Sequence, residues 1–383
     1  MGKKSRLVIL LFSIGVLIIY FFTSNGNTPF NHFTLLADSF LKGKIYIEGI
    51  YPWLEKIPID ANNWYVANPP MPAILLLPFV YLFGIDFPQQ YLAHLLGAGI
   101  VALTMFLSYK IKKDMKLMIW SGFLIGLGSI IWYLSSGGSV WYLGQVTSAF
   151  FLFWAIYETL NKSRPFLMGV LLGCSYLSRI PTILALPFFI INLKKVNIKN
   201  ISLLISGLLI FVTLNGLYNY LRFGVFWDIG YTLIPGISTE PWYQKGIIHP
   251  TYILEHLKII FLRIPEFENN FLYFKPSLFG YAIWFTTPAF LFSVFNKIKE
   301  KVVWSTWLSI ILISILIFSH GSTGFSQFGY RFAVDFYPFL TYLTISGIAN
   351  LNGPKWYHWL LLIVGILINT WGVLWINKFN WIN

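Results

Sequence analysis

MPAILLLPFVYLFGI, residues 71–85, decides how this chain is threaded. The run is apolar enough to enter a bilayer, but a spanning helix needs about 20 apolar residues. This one is shorter and is interrupted by Pro72 and Pro78. If it crossed, the next apolar run, 89–109, would travel outward and leave Lys110, Lys112, Lys113 and Lys116 on the outer face. Lysine and arginine collect instead on the cytoplasmic side of membrane proteins. The segment therefore reads as an interfacial or re-entrant helix that does not span.

Everything around it is membrane-like. The chain has 383 residues, 57% hydrophobic and 11% charged, with a mean hydropathy of +0.67. A soluble domain carries about 25% charged residues. Barrel strands are about 10 residues of alternating polarity, and the apolar runs here are longer and continuous. The fold class is all-α, a polytopic transmembrane helical bundle. Lys3, Lys4 and Arg6 hold the N-terminus in the cytoplasm, so a first helix over 7–23 delivers the next loop to the outside. No small-residue cleavage site follows that helix, which reads as retained rather than as a signal peptide.

Further spans are expected at 89–109, 117–134, 144–160, 165–179, 180–193, 201–220, 279–296, 302–319, 331–349 and 357–376, about eleven in all. The short pair at 165–193, divided by Arg179-Ile180-Pro181, reads as a tight hairpin. The chain is expected to form one integral membrane domain, 1–383, with a first outer loop at 24–88 and a second at 221–278. In the second, TYILEHLKIIFLR (251–263) places Ile253, Leu257, Ile260 and Phe261 on one face, as an interfacial helix would.

The net charge of +13 does not point to nucleic acid, because the basic residues sit in short clusters beside hydrophobic runs. The single cysteine, Cys174, allows neither an internal disulfide nor a thiolate metal cluster. No internal repeat of the kind common in secondary transporters is visible.

The first outer loop gathers His32, Asp38, Glu48, Glu55 and Asp60. A carboxylate on the outer face can accept the proton of an acceptor hydroxyl while a sugar is displaced from its donor. Asp38, within an amphipathic helical pattern, is the first candidate and Asp60 the second; a helix cap or a solvated loop acid is the plainer alternative for either. His32 and Asp38 could share a metal ion, but two ligands do not make a site, so a divalent cation is left open. Asn68-Pro69-Pro70-Met71-Pro72 forms a stiff entry to the interfacial helix. Arg179 and Arg331 stand at outer ends of expected spans, and arginine suits bidentate phosphate binding. Arg331 and Asp335, four apart on one expected helix, can pair with each other. His94 and His320 carry little signal.

Four stretches, LADSFLKGKIYI (36–47), WYVANPPMPAILLLPFVYLFG (64–84), SYLSRIPTILALPFFI (175–190) and FGYRFAVDFYPFL (328–340), resemble the GT-C superfamily of polytopic glycosyltransferases. That superfamily includes protein mannosyltransferases and aminoarabinose transferases. The resemblance implies a sugar moved from a polyprenyl-phosphate-sugar donor to a hydroxyl of a lipid, glycan or protein on the outer face, among membrane lipids. It also implies a catalytic aspartate in the first outer loop. Many members carry that acid shortly before the Leu-Ala, where this chain has Asn31-His32, which leaves Asp38 or Asp60 as the base. His32, Arg179, Tyr330 and Arg331 are then expected on the substrate side, the arginines at the donor phosphate. A transporter or flippase of lipid-linked sugars and a non-catalytic assembly protein on the same fold are the alternatives.

Overall fold

The computed structural model describes residues 1–53, 55–265, 279–325 and 327–379. The end of the expected second outer loop, 266–278, lies outside the described residues. Helix α1 (Lys3–Thr23) has 21 residues, a length of about 31 Å that matches the hydrocarbon core of a bilayer. After it come α2 (His32–Leu41) and three short strands, β1 (Ile47–Glu48), β2 (Lys56–Pro58) and β3 (Asn63–Val66). The strands form an antiparallel sheet in the order β1-β3-β2, with Ile47 opposite Trp64 and Ile57 opposite Tyr65. This sheet is the departure from an all-helical chain.

Helix α3 (Met71–Phe83) is primed by Pro72 in its first turn and stops at Gly84, whose φ of 74° suits glycine. Its 13 residues reach only about 20 Å. The contacts of α4 (Gln90–Ile111) settle its role. A Cβ on Gly97, early in α4, would meet the Tyr20 ring near the end of α1. Met105, late in α4, and Phe12 from the first half of α1 both meet the same glycine, Gly122. The two helices are therefore antiparallel, and residues 24–89 begin and end at one end of the bundle. Helix α3 turns back without crossing, as the lysine argument required.

The following elements are α5 (Met115–Gly126), α6 (Ile131–Gly137), α7 (Val140–Leu160), α8 (Pro165–Tyr176), a 3-10 turn (Ile180–Ala185) leading into α9 (Leu186–Ile191), and α10 (Ile198–Phe223). Then come α11 (Ile253–Leu262), α12 (Ile283–Thr286), α13 (Lys301–Phe318), α14 (Tyr337–Asn350) and α15 (Trp356–Asn377). Among the described residues six helices are long and apolar enough to cross a membrane, and seven if α5 and α6, bent by 52°, form one span. The chain is a multi-pass membrane protein. Length and composition do not reach the expected eleven crossings. The segments at 165–176 and 180–191 are short, and two expected spans are not regular helices. Within 279–296 only Ile283–Thr286 is α-helical before a 3-10 stretch from Pro288. Within 331–349 the chain is 3-10 over Arg331–Asp335 and becomes α-helical only at Tyr337-Pro338. Proline lacks an N–H and is favoured in a first turn, and each of these two segments restarts at one.

Small residues bring the spans together. A Cβ on Gly169 would lie 1.9 Å from the Leu204 carbonyl oxygen, and one on Gly207 2.3 Å from that of Phe166. Helices α8 and α10 thus touch backbone to backbone, as spans do where dispersion rather than water exclusion drives packing. The two ends of the chain are tied as well. Asn377 Nδ2 donates to the Thr23 carbonyl at 3.0 Å, and Lys378 Nζ to that of Ser24 at 2.6 Å. Helix α11 buries His256, Ile259 and Ile260, while Phe261 is exposed, so its inner face is rotated from the expected one.

Candidate active site

A cavity of about 520 Å³ opens at the end of the bundle where the first outer loop lies. Its wall combines Glu55, Asn68 and Pro69 from that loop with Trp141 and Gly144 of α7, and Arg179 and Pro181 after α8. Asp228, Tyr231 and Tyr243 come from the second outer segment, and His320, Arg331 and Phe332 from the stretch between α13 and α14. This size suits a ligand pocket, which typically has an apolar wall and a few convergent polar groups.

Helix α8 has ended at Tyr176, and Pro181 opens the first turn of the 3-10 segment Ile180–Ala185. Arg179 is the residue that caps this turn, in an extended conformation with φ −149° and ψ 105°. Its guanidinium then crosses to Asp335. Arg179 Nε donates to both carboxylate oxygens at 3.1 Å, and Nη2 donates to Oδ2 at 2.8 Å. The Asp335 side chain is fully buried. The expected Arg331–Asp335 pair does not form. In the tighter 3-10 turn residues four apart no longer share a face, and Asp335 serves Arg179 instead.

Arg331 is left without an ion pair among the described residues. It is 8% exposed, and its Nε is buried without a hydrogen-bond partner. Its backbone is held firmly: its N–H donates to Gln327 Oε1 at 3.1 Å, and its carbonyl accepts from Gln145 Nε2 at 3.0 Å. The Phe332 ring lies 4.9 Å from the Arg331 guanidinium and 5.6 Å from that of Arg179. A buried cation with no partner is costly.

On another part of the wall, Glu55 Oε2 accepts from Trp141 Nε1 and, at 3.0 Å, from the Tyr231 hydroxyl. The backbone φ of Glu55 is +58°, in the left-handed region. Burial raises the Asp228 carboxyl above its usual range, against a hydrogen bond from the Gly230 N–H. Burial also raises the Tyr231 and Tyr243 phenols, both of which feel the charges of Glu55 and Arg331. His320 is pushed down to about 4, chiefly by burial and further by the Arg179 and Arg331 charges.

Of the residues singled out from the sequence, Arg179 and Arg331 meet at this cavity. The others do not line it. Asp38 pairs with Lys42 at 2.7 Å and lies five residues from Phe33, which faces the cavity; five helical steps turn a side chain roughly 140° away. Asp60 closes a turn on the Asn62 and Asn63 N–H groups and the Asn63 side chain, which lowers its carboxyl pKa. His32 is buried against Trp53, ring centroids 4.0 Å apart, and Trp53 stacks in turn on Tyr51. Tyr330 is fully buried, with its hydroxyl 2.5 Å from His256 Nδ1. Among the described residues no three His, Cys, Asp or Glu side chains group as a metal site. Sequence reasoning passed over Asp228, Tyr231 and His320, whose segments carry no motif, and did not choose Glu55 from among the first-loop acids.

No family model and no curated protein matches the chain. Two solved structures do. The crystal structure of ArnT from Cupriavidus metallidurans bound to undecaprenyl phosphate matches with a TM-score of 0.55 at 13% identity, covering 96% of this chain. The fold is ArnT-like. The apo structure of ArnT gives a TM-score of 0.54 at 15% identity over 95% of this chain. The chain spans 64% and 63% of the length of the two ArnT chains.

Proposed function

We propose that this protein is a membrane glycosyltransferase that moves a sugar from a polyprenyl-phosphate-sugar donor to a hydroxyl acceptor on the outer face of the membrane. The observation that carries this reading is Arg331, a buried cation that has no counter-ion among the described residues, in the wall of a cavity that also holds carboxylates. A phosphodiester supplies the missing charge. The ArnT structure of the same fold holds undecaprenyl phosphate, which supports a lipid of that class here.

In the reaction the acceptor oxygen attacks the anomeric carbon, and the bond from that carbon to the phosphate oxygen breaks. The electron pair leaves on the phosphate, which gains a negative charge beside Arg331. Arg331 therefore holds the departing phosphate more strongly than the donor, and that difference lowers the barrier. A carboxylate takes the hydroxyl proton. The lysine clusters support a cytoplasmic N-terminus and an extracytoplasmic cavity.

The test supplies purified protein in vesicles with a panel of labelled polyprenyl-phosphate sugars and crude acceptor lipids. Label appearing in an acceptor, with polyprenyl phosphate released, is the expected outcome. Labelled lipid moving between leaflets with no transfer identifies a flippase instead.

A further inference from the structure

We infer that Glu55 is the base that deprotonates the acceptor hydroxyl, and that Tyr231, reaching in from the second outer segment, orients it. The inference rests on the transferase reading above and assigns its missing proton acceptor.

The acids near the cavity separate by what they already do. Asp335 is consumed by three hydrogen bonds from Arg179. Asp228 Oδ1 accepts from the Gly230 N–H and shapes the turn before Tyr231. Asp38 and Asp60 are engaged away from the cavity wall, by Lys42 and by the Asn62–Asn63 turn. Glu55 and Asp228 both line the cavity and each is held through one oxygen, but Asp228 is tied to the backbone of its own turn while Glu55 is oriented by two side chains from other elements. Its two donors, Trp141 Nε1 and the Tyr231 hydroxyl, converge on Oε2, and neither engages Oε1. A carboxylate fixed through one oxygen keeps the other for a proton.

The backbone supports the same assignment. Glu55 is not glycine, yet its φ is +58°, a conformation that costs about 1–2 kcal/mol for an L residue. Glycine or asparagine would relieve the strain; a side chain held there despite it fits a functional site. The neighbourhood is arranged for transfer as well. Glu55, Tyr231, Tyr243 and Arg331 all line the same cavity, so the proposed base and the proposed phosphate seat border one space.

The proton balance closes. The carboxylate takes the proton of the attacking hydroxyl as the carbon–oxygen bond to the sugar forms. The leaving phosphate carries away the electron pair of the broken bond, and the protonated Glu55 later releases its proton to water. Tyr231 and Trp141 do not touch the reacting atoms in this scheme. They are positioning residues, and Tyr231 makes the base dependent on docking of the second outer segment.

The test measures single-turnover transfer and undecaprenyl phosphate binding for wild type, E55Q, E55D, Y231F, D38N and D60N. Glutamine keeps the shape of Glu55 and an oxygen for both donors. E55Q is expected to lose about 10²–10⁴-fold in transfer rate while binding undecaprenyl phosphate as wild type does, which also shows that it is folded. E55D recovers part of that rate. Y231F lowers the transfer rate about tenfold with unchanged undecaprenyl phosphate binding, a split that a general loss of structure would not give. Wild-type transfer retained in E55Q and lost in D38N or D60N overturns the assignment and leaves the transferase reading standing. No transfer by wild type from any donor overturns both.

Discussion

Arg179 and Asp335, 156 residues apart in the chain, are joined by three hydrogen bonds of 2.8–3.1 Å. The pair ties the break after α8 to the turn before α14, and it decides which arginine is free. Because Asp335 neutralises Arg179, the cavity arginine without an ion pair among the described residues is Arg331. Two arginines that look equivalent in the sequence thus differ: one is braced by a carboxylate, and the other is not.

Asp335→Asn leaves the Arg179 guanidinium, one quarter exposed, without its counter-ion. It is expected to destabilise the protein by about 1–3 kcal/mol, read as a lower thermal midpoint in detergent. The double variant Arg179→Met/Asp335→Leu, which removes both charges, recovers most of that loss. A double variant as unstable as the single one would show that the pair is not what the single change damaged.

His320 makes stability depend on pH. In the fold it titrates at about 4, and its ordinary value is 6.5. Between these values the unfolded chain binds a proton that the folded chain does not. The contribution is complete above pH 6.5 and is lost as pH falls towards 4. Asp228, raised by burial, has the opposite sign, but it is common to wild type and variant. The difference in thermal midpoint between wild type and His320→Asn should therefore shrink as pH drops through that window. A constant difference would remove His320 as the cause.

The contact of α8 with α10 has no room for a side chain. Gly169→Val must push Leu204 away from a Cβ that would sit 1.9 Å from its carbonyl oxygen. The expected cost is about 1–3 kcal/mol or more, with reduced yield of folded protein in detergent. Gly144→Ala, where the nearest atom to a Cβ would be 3.7 Å away, should fold normally.

Much of the architecture was legible in the sequence because it follows from charge and length. Four lysines at 110–116 fixed α3 as a helix that turns back, and the contacts of Tyr20 with Gly97 and of Phe12 and Met105 with Gly122 agree. The expected span at 331–349 failed for a local reason: hydropathy is blind to the 3-10 turn that precedes Pro338. That turn also undid the Arg331–Asp335 pair, since i,i+4 pairing presumes an α-helix. Arg179 and Arg331 were visible as charges beside apolar runs. Glu55 was visible only as one acid among several, because its distinction lies in Tyr231, 176 residues away. His256 was hidden on the apolar face of α11, where periodicity marked its neighbours and passed over the histidine that reaches Tyr330.

The proposed seating of a polyprenyl phosphate on Arg331 is tested most directly by lipid affinity. Undecaprenyl phosphate and undecaprenol should be titrated into wild type and Arg331→Met in the same detergent. Losing a charged hydrogen-bonded contact is worth about 1.5–3 kcal/mol, or roughly 10–150-fold in affinity. That loss is expected for undecaprenyl phosphate, with unchanged binding of undecaprenol. Equal affinity of wild type and Arg331→Met for undecaprenyl phosphate would contradict it.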